Sequence, residues 1–351
     1  MLSIRHARLF AELVSQKVKQ PIGPVFFSFY ITNKCNLRCS YCFIHSPDAC
    51  PKFLKEEFTK EEAFNLLDEA YELGVRMIFL LGGEPLMYPH FGEVVAYIRK
   101  KGMVCHVMTN GLLMTKFLDE LKLSDGVCVS LDGLDEANDH FRGKGTCKKV
   151  LENLKAASDA GIKCRLHAVL NRYNIDKFDK FLKVASDLGT PVTVSPPAYV
   201  EQDGSDEFII SEEEQRDFWR RLLAMKDSGL PVGHTRKVLK TMIDWPQSYQ
   251  TPLTHQAAVT SKGQKIVHCV NAERYCGVDA DGTLHFCLHP GMPTGLNVKE
   301  VGLSKAWEHL KTLRPKCHAC ASPNSLEYST AINLDVQGVA NALRYQLLRK
   351  Y

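Results

Sequence analysis

The sequence predicts an α/β protein built on a parallel sheet. Three observations lead there. Strand-like and helix-like segments alternate six times in the first 200 residues. The strand-like runs are continuously apolar rather than alternating, which marks strands covered on both faces. Polar and glycine-rich clusters fall at the C-terminal ends of those runs, where a βα sheet builds its site. Six βα units in series fit either a doubly wound sheet or an incomplete barrel.

The elements follow in order. "PVFFSFYITN" (24–33) is aromatic and β-branched and reads as the first strand. "TKEEAFNLLDEAYELG" (59–74) opens on a Thr cap, keeps a helical apolar period and closes on Gly. Four further pairs follow: "VRMIFLLGG" with "HFGEVVAYIRKKG", "MVCHVMTNG" with "TKFLDELKLS", "GVCVSLDG" with "CKKVLENLKAASDAG", and "IKCRLHAVLN" with "DKFDKFLKVASDLG". "PVTVSPPAYV" is the sixth strand. Residues 201–267 read as a helical connector. Within 268–325, "VDADGTLHFC" predicts a hairpin turning at Asp281-Gly282. Residues 1–23 and 326–351 read as terminal amphipathic helices.

Composition is that of a globular chain: 351 residues, 45% hydrophobic, 24% charged, net charge +4. That charge is too mild to point to nucleic acid. No window approaches the roughly 18 apolar residues of a membrane span. The start, "MLSIRHARLFAELV", lacks a long apolar core and a cleavage site, so a cytoplasmic location is expected.

Thirteen cysteines, an odd number, argue for metal or catalytic thiols rather than disulfides in such a compartment. They cluster. "ITNKCNLRCSYCF" (31–43) carries Cys35, Cys39 and Cys42, and a second group holds Cys269, Cys276, Cys287, Cys317 and Cys320. Structural zinc wants four ligands, usually as two pairs. The trio offers three, with His45 a poor fourth. Three thiolates on an iron–sulfur cluster leave one iron open, as a catalytic metal requires.

Cys35-x3-Cys39-x2-Cys42, with Tyr41 before the third cysteine and Gly82-Gly83-Glu84-Pro85 one strand later, resembles the signature of the radical S-adenosylmethionine superfamily. The resemblance implies a partial (β/α)6 TIM-like barrel over 24–200. It implies a [4Fe-4S] cluster on the three cysteines, whose open iron chelates S-adenosylmethionine. One electron would then cleave the cofactor to methionine and a 5'-deoxyadenosyl radical, which takes a hydrogen atom from an unactivated C–H bond. Glu84 resembles the family's acceptor for the methionine amino group. Ser130 and Asp132 in "VSLDG" resemble its strand-four pair, and Arg142 in "DHFRGKG" its partner for the methionine carboxylate. Thr109, Asn110 and Asn171 end strands at the same site and are expected to contact the cofactor or to form turns. A reductant such as flavodoxin or ferredoxin is the implied partner.

The second cysteine group resembles the family's twitch or SPASM extensions. Five cysteines, none after Cys320, favour the shorter twitch type with one auxiliary [4Fe-4S] cluster on Cys269, Cys287, Cys317 and Cys320. Cys276 is either an alternate for Cys269 or a spare thiol. Zinc is the rival here, because two pairs of cysteines suit it. His268, His285 and His289 lie nearby and are expected to be packing or exposed.

The substrate is not legible: peptide, sugar or cofactor precursor, and lipid all remain. The terminal helices are basic-flanked, so they either cap the barrel or contact a membrane surface. The opposing functional class is an iron–sulfur electron-transfer or binding protein that never cleaves S-adenosylmethionine.

Overall fold

The computed structural model describes residues 4–18, 23–42, 44, 56–196, 210–254, 258–271, 273–287, 292–314 and 317–347. His45, Cys50 and His289 lie outside them.

In chain order the elements begin with α1 (Ile4–Val18), β1 (Phe26–Tyr30), α2 (Lys60–Glu72), β2 (Met77–Leu81), α3 (Phe91–Lys101), β3 (Val104–Thr109), α4 (Leu118–Lys122) and β4 (Gly126–Ser130). They continue with α5 (Glu136–Arg142), α6 (Thr146–Asp159), β5 (Cys164–Val169), α7 (Phe178–Asp187), β6 (Val192–Ser195), α8 (Glu212–Asp227) and α9 (Arg236–Ile243). The remainder is β7 (Leu253–Thr254), β8 (Tyr275–Val278), β9 (Leu284–His285), α10 (Val298–Val301), α11 (Leu303–Thr312), β10 (Cys317–Ala319), α12 (Pro323–Ile332) and α13 (Val336–Leu347).

The chain forms two compact units. The first comprises Met1–Ser130, Phe141–Cys164 and Asn271–Arg314; the second comprises Leu131–His140, Arg165–Val270 and Pro315–Tyr351. In the first unit β1 to β4 run parallel in spatial order β4-β3-β2-β1, and β8 extends the sheet beside β1. Phe27 and Phe29 of β1, Phe91 of α3 and Trp307 of α11 lie fully buried in its core. In the second unit β5 and β6 pair in parallel, and β7 pairs antiparallel with β10. Trp219, Trp245, Phe178 and Phe218 fill that core.

Local chemistry sets the helix ends. A reciprocal capping box joins Thr59 and Glu62 at the start of α2, and another joins Ser211 and Glu214 at α8. The hairpin foreseen at Asp281-Gly282 is present: β8 pairs antiparallel with β9, and Gly282 takes a φ of 92° at the turn. Its parallel pairing with β1 had no signal in the sequence, since register between distant segments leaves no periodic trace.

Helix α1 lies across the N-terminal ends of the first unit's strands, one turn per strand. Arg5 pairs with Asp125, just before β4, at 2.7 Å. The Arg8 guanidinium abuts Gly102, just before β3. Glu12 pairs with Arg76, just before β2, at 3.5 Å. Gln16 donates to the Gly23 carbonyl, before β1, at 3.4 Å, and its own carbonyl accepts from Arg274, just before β8, at 3.5 Å. The match is geometric: a helix advances about 5.4 Å per turn, and neighbouring strands stand about 4.8 Å apart. The helix therefore caps this end of the sheet. Its other side is bare, with Ile4, Phe10, Val14 and Val18 at 75%, 51%, 39% and 82% exposure.

Candidate functional site

The cysteine loop leaves the C-terminal end of β1, opposite α1. Its first residues are clamped from two sides. Thr32 Oγ1 donates to the Glu57 carboxylate at 3.0 Å, and the Asn33 N–H donates to the same group at 2.7 Å. On the other side the N–H groups of Gly83 and Glu84 donate to the carbonyls of Thr32 and Lys34, both at 2.7 Å. This contact explains the two glycines. A Cβ on Gly82 would stand 2.3 Å from the Thr32 carbonyl oxygen, and one on Gly83 would stand 2.4 Å from that of Lys34. The close approach they permit is to the cysteine loop itself.

Glu84 is fully buried. Its carboxylate accepts from Thr109 Oγ1 at 2.7 Å, from the Asn110 N–H at 2.7 Å and from the Leu86 N–H at 3.1 Å. Among the described residues no cation pairs with it. Burial pushes its pKa up from 4.5 to about 7, against the three hydrogen bonds that hold it down. A buried carboxylate with three donors and no cation has lone-pair capacity for one more donor.

Asn110 carries the network to the cysteines. Its side-chain nitrogen lies 2.7 Å from Asn36 Oδ1 and 3.8 Å from Cys35 Sγ, and its Oδ1 accepts from the Leu112 N–H at 3.0 Å. Cys35 Sγ also accepts from the Leu37 N–H at 3.4 Å. Burial raises the Cys35 thiol pKa, with the Leu37 hydrogen bond opposing and the nearby Glu84 and Cys42 adding to it.

Cys39 and Cys42 follow on a half-exposed turn, with the Cys42 N–H donating to the Cys39 carbonyl at 3.1 Å. Tyr41, between them, packs its ring 5.8 Å from Phe141, and the Arg142 guanidinium sits 5.5 Å from the same ring. Arg142 is buried, so α5 delivers a fixed cation beside the cysteine turn.

Ser130 closes β4 in the first unit and is half-buried. Asp132 and Asn171 belong to the second unit and are bound up in its own structure. Asp132 Oδ1 accepts from the Val169 N–H at 2.9 Å. Asn171 Oδ1 accepts from the N–H groups of Tyr173 and Asn174 at 2.9 and 3.0 Å, the Asx turn weighed for it. Asn174 ties them together, donating to the Asp132 carbonyl at 2.7 Å.

The second cysteine group divides between the units. Cys269, Cys317 and Cys320 are half-exposed in the second, where the Cys269 N–H donates to the His318 carbonyl at 2.8 Å. The rings of His268 and His318 meet beside them, Nδ1 to Nδ1 at 3.3 Å. Cys287 lies in the first unit. Cys276 is wholly buried in β8 opposite Phe27, and burial pushes its thiol pKa far up. Core packing accounts for it, which favours the spare-thiol reading. His285 is likewise a packed residue, buried against Tyr30 with its Nε2 3.3 Å from Asp279.

Among the described residues no three His, Cys, Asp or Glu side chains converge on one point where a single ion would sit. A cluster asks for no such convergence, because each cysteine binds a different iron. Three thiols on one loop, with no fourth among the described residues and with an uncompensated carboxylate behind them, fit a cluster that keeps one iron open.

Residues 29–185 match the family model described as the radical SAM superfamily. Those residues, somewhat under half of the chain, carry the radical SAM domain. The chain is similar to Fe-coproporphyrin III synthase of Methanosarcina barkeri (strain Fusaro / DSM 804), 39% identical over 150 residues, which are 41% of this chain and 37% of that protein. The matched stretch is thus well under half of that relative. It is also similar to mycofactocin maturase MftC of Mycolicibacterium smegmatis, 25% identical over 327 residues, 88% of this chain and 78% of that one. Among solved structures, Streptococcus suis SuiB matches with a TM-score of 0.65 at 15% identity, covering 86% of this chain and 70% of that chain. That likeness is one of fold, and together with the family match it makes the α/β architecture a partial barrel. The protein is a radical SAM enzyme whose cofactors are a [4Fe-4S] cluster and S-adenosylmethionine, and as such it needs an external reductant.

Sequence reading missed Glu57, Thr32 and Asn36. Asn36 stood within the cysteine motif and could have been noticed there. Glu57 reaches back from a segment with no pattern, and nothing in the sequence marked it.

Proposed function

We propose that Cys35, Cys39 and Cys42 hold the [4Fe-4S] cluster, and that a second cluster sits on Cys269, Cys287, Cys317 and Cys320 and passes electrons. When bound, the cofactors would supply the chemistry, reductive cleavage of S-adenosylmethionine and hydrogen-atom abstraction from the substrate. The protein's own residues position and shield. Glu84 accepts from the methionine ammonium, Arg142 pairs with the carboxylate, and Ser130 meets the ribose. Tyr41 and Phe141 wall the cysteine turn. Asp132 and Asn171 act through the backbone they hold. The observation that carries this reading is Glu84, buried without a cation and bonded to the residue that touches Cys35. A flavodoxin- or ferredoxin-like protein is the reductant that suits it.

The test is anaerobic. Reconstituted protein should carry about eight irons and form 5'-deoxyadenosine with S-adenosylmethionine and dithionite. Iron without 5'-deoxyadenosine would favour the electron-transfer alternative. The substrate classes that suit this chemistry are a peptide, a sugar or cofactor precursor, and a lipid; the two relatives named above are a maturase and a coproporphyrin synthase by name.

The bare side of α1 supports a second reading, about location. Ile4, Phe10, Val14 and Val18 are exposed there, and Arg8, on the capping side, is exposed as well, as are Arg99 and Lys100 in the last turn of α3. An anionic bilayer suits that combination. No described helix is long and apolar enough to cross a membrane. Since α1 lies at the end of the strands opposite the cysteine loop, such contact would anchor the enzyme without feeding lipid into the site.

A further inference from the structure

We infer that Asn110 sets the reduction potential of the cluster by donating a hydrogen bond to Cys35 Sγ; this rests on the cluster assignment proposed above. On sequence Asn110 stood as a cofactor contact or a turn residue. Its Oδ1 makes the turn, accepting from the Leu112 N–H, while its NH2 group faces the cysteine loop. The amide orientation is fixed by chemistry, because the Leu112 N–H can only donate, so the atom 3.0 Å from it is Oδ1. The NH2 group therefore points the other way. Its two protons meet two acceptors, Asn36 Oδ1 at 2.7 Å and Cys35 Sγ at 3.8 Å.

Each neighbour of that amide is held. Its backbone N–H is bound to Glu84 Oε2 at 2.7 Å. The following N–H, of Gly111, donates to Thr109 Oγ1 at 3.0 Å, and the carbonyls of Gly111 and Leu112 accept from Asn153 at 2.8 and 3.0 Å. Asn110 is 9% exposed, so little water screens its dipole. One-electron reduction adds negative charge that spreads onto the cysteinyl sulfurs. A fixed N–H aimed at one of them stabilises the reduced cluster more than the oxidised one and raises its potential. No bond forms or breaks; the electron comes from the external one-electron reductant.

The experiment is a redox titration of the reconstituted holoenzyme, followed by electron paramagnetic resonance on the signal that changes when S-adenosylmethionine is added. That response singles out the initiating cluster. Asn110→Ala should lower its midpoint by about 59 mV, a tenfold shift in the reduction equilibrium, with iron content unchanged. An unmoved midpoint at full iron content overturns the inference. Should Asn110→Ala lose the cluster, the wild-type enzyme decides. With asparagine labelled by 15N at the side-chain amide, the reduced signal should show nitrogen hyperfine coupling, and its absence overturns the inference. A wild-type enzyme with no S-adenosylmethionine-responsive signal overturns the cluster assignment first and this inference with it.

Discussion

The backbone N–H of Asn110 donates to the buried carboxylate of Glu84 at 2.7 Å, and this bond fixes the end of β3 to the loop that follows β2. Glu84 is therefore bound on its protein side before any cofactor arrives. Its motif neighbours, Gly82 and Gly83, lie against the cysteine loop.

Glu84→Gln tests both duties. The amide leaves one buried N–H or O–H facing an NH2 group, which costs about 1–3 kcal/mol of stability. It also removes a charge-assisted bond to the ammonium, worth about 1.5–3 kcal/mol, or roughly 10- to 150-fold in affinity. Isothermal titration with S-adenosylmethionine on iron-replete protein should show that loss. Unchanged affinity would remove Glu84 from the cofactor site.

The pH dependence has a definite sign. Glu84 binds its proton more tightly folded, at about 7, than at its ordinary 4.5. Its contribution to cofactor-free stability is therefore fully present below about pH 4.5 and is lost as pH rises through about 7. The magnitude is on the order of 3 kcal/mol. Urea midpoints of the cofactor-free wild type should fall across that window relative to Glu84→Gln. Cofactor affinity should move the opposite way, rising with pH as the carboxylate ionises to meet the ammonium. Parallel urea curves for the two proteins would show that Glu84 does not titrate there.

Gly83→Ala should separate loop placement from cofactor contact. The added methyl would stand 2.4 Å from the Lys34 carbonyl oxygen and 2.6 Å from that of Asn33, both rigid backbone atoms. The cysteine loop must move away, and iron bound at Cys35, Cys39 and Cys42 should fall by more than half on reconstitution. Full iron incorporation would mean that the loop tolerates the shift.

The sequence made the βα alternation legible because each strand is apolar throughout and each helix carries its own period and caps. Cys35, Glu84 and Asn110 were legible as a set because each follows the C-terminal end of a strand. What Asn110 does was not, since the direction of an amide depends on Leu112 and Asn36, and only packing decides that. Asp132 and Asn171 show the opposite case. They sit at strand ends in the right pattern, yet their side chains are taken up by backbone at Val169, Tyr173 and Asn174. A strand-end polar residue reads the same whether it faces a ligand or ties a turn.

Arg5 should matter to stability although it lies far from the cysteine loop. It forks onto Asp125, with Nη2 at 2.7 Å and Nε at 3.3 Å, and Asp125 also receives the Cys105 N–H at 3.0 Å. Arg5→Ala leaves a largely buried carboxylate with one donor and frees the first turn of α1, at a cost of about 1–3 kcal/mol. Chemical denaturation should show that loss, and hydrogen exchange should rise in α1 and at the start of β4. The bare side of the same helix is tested separately. Phe10→Ser with Val14→Ser should reduce sedimentation with anionic vesicles while leaving the melting temperature nearly unchanged. Equal sedimentation would leave α1 as a cap alone.

Cys317→Ala with Cys320→Ala should remove about four irons per chain and leave reductive cleavage of S-adenosylmethionine in place, whereas Cys276→Ala should remove none. The contrast follows from placement. Cys317 opens β10 and Cys320 directly follows it, both half-exposed. The Cys276 side chain is enclosed in the sheet beside Phe27, where a cluster has no room. Loss of the small buried thiol should appear instead as a drop in melting temperature of a few degrees, as for a methyl-sized cavity of about 1 kcal/mol. Iron lost from Cys276→Ala but kept by the double variant would reverse the assignment, making Cys276 a ligand and Cys317 and Cys320 bystanders.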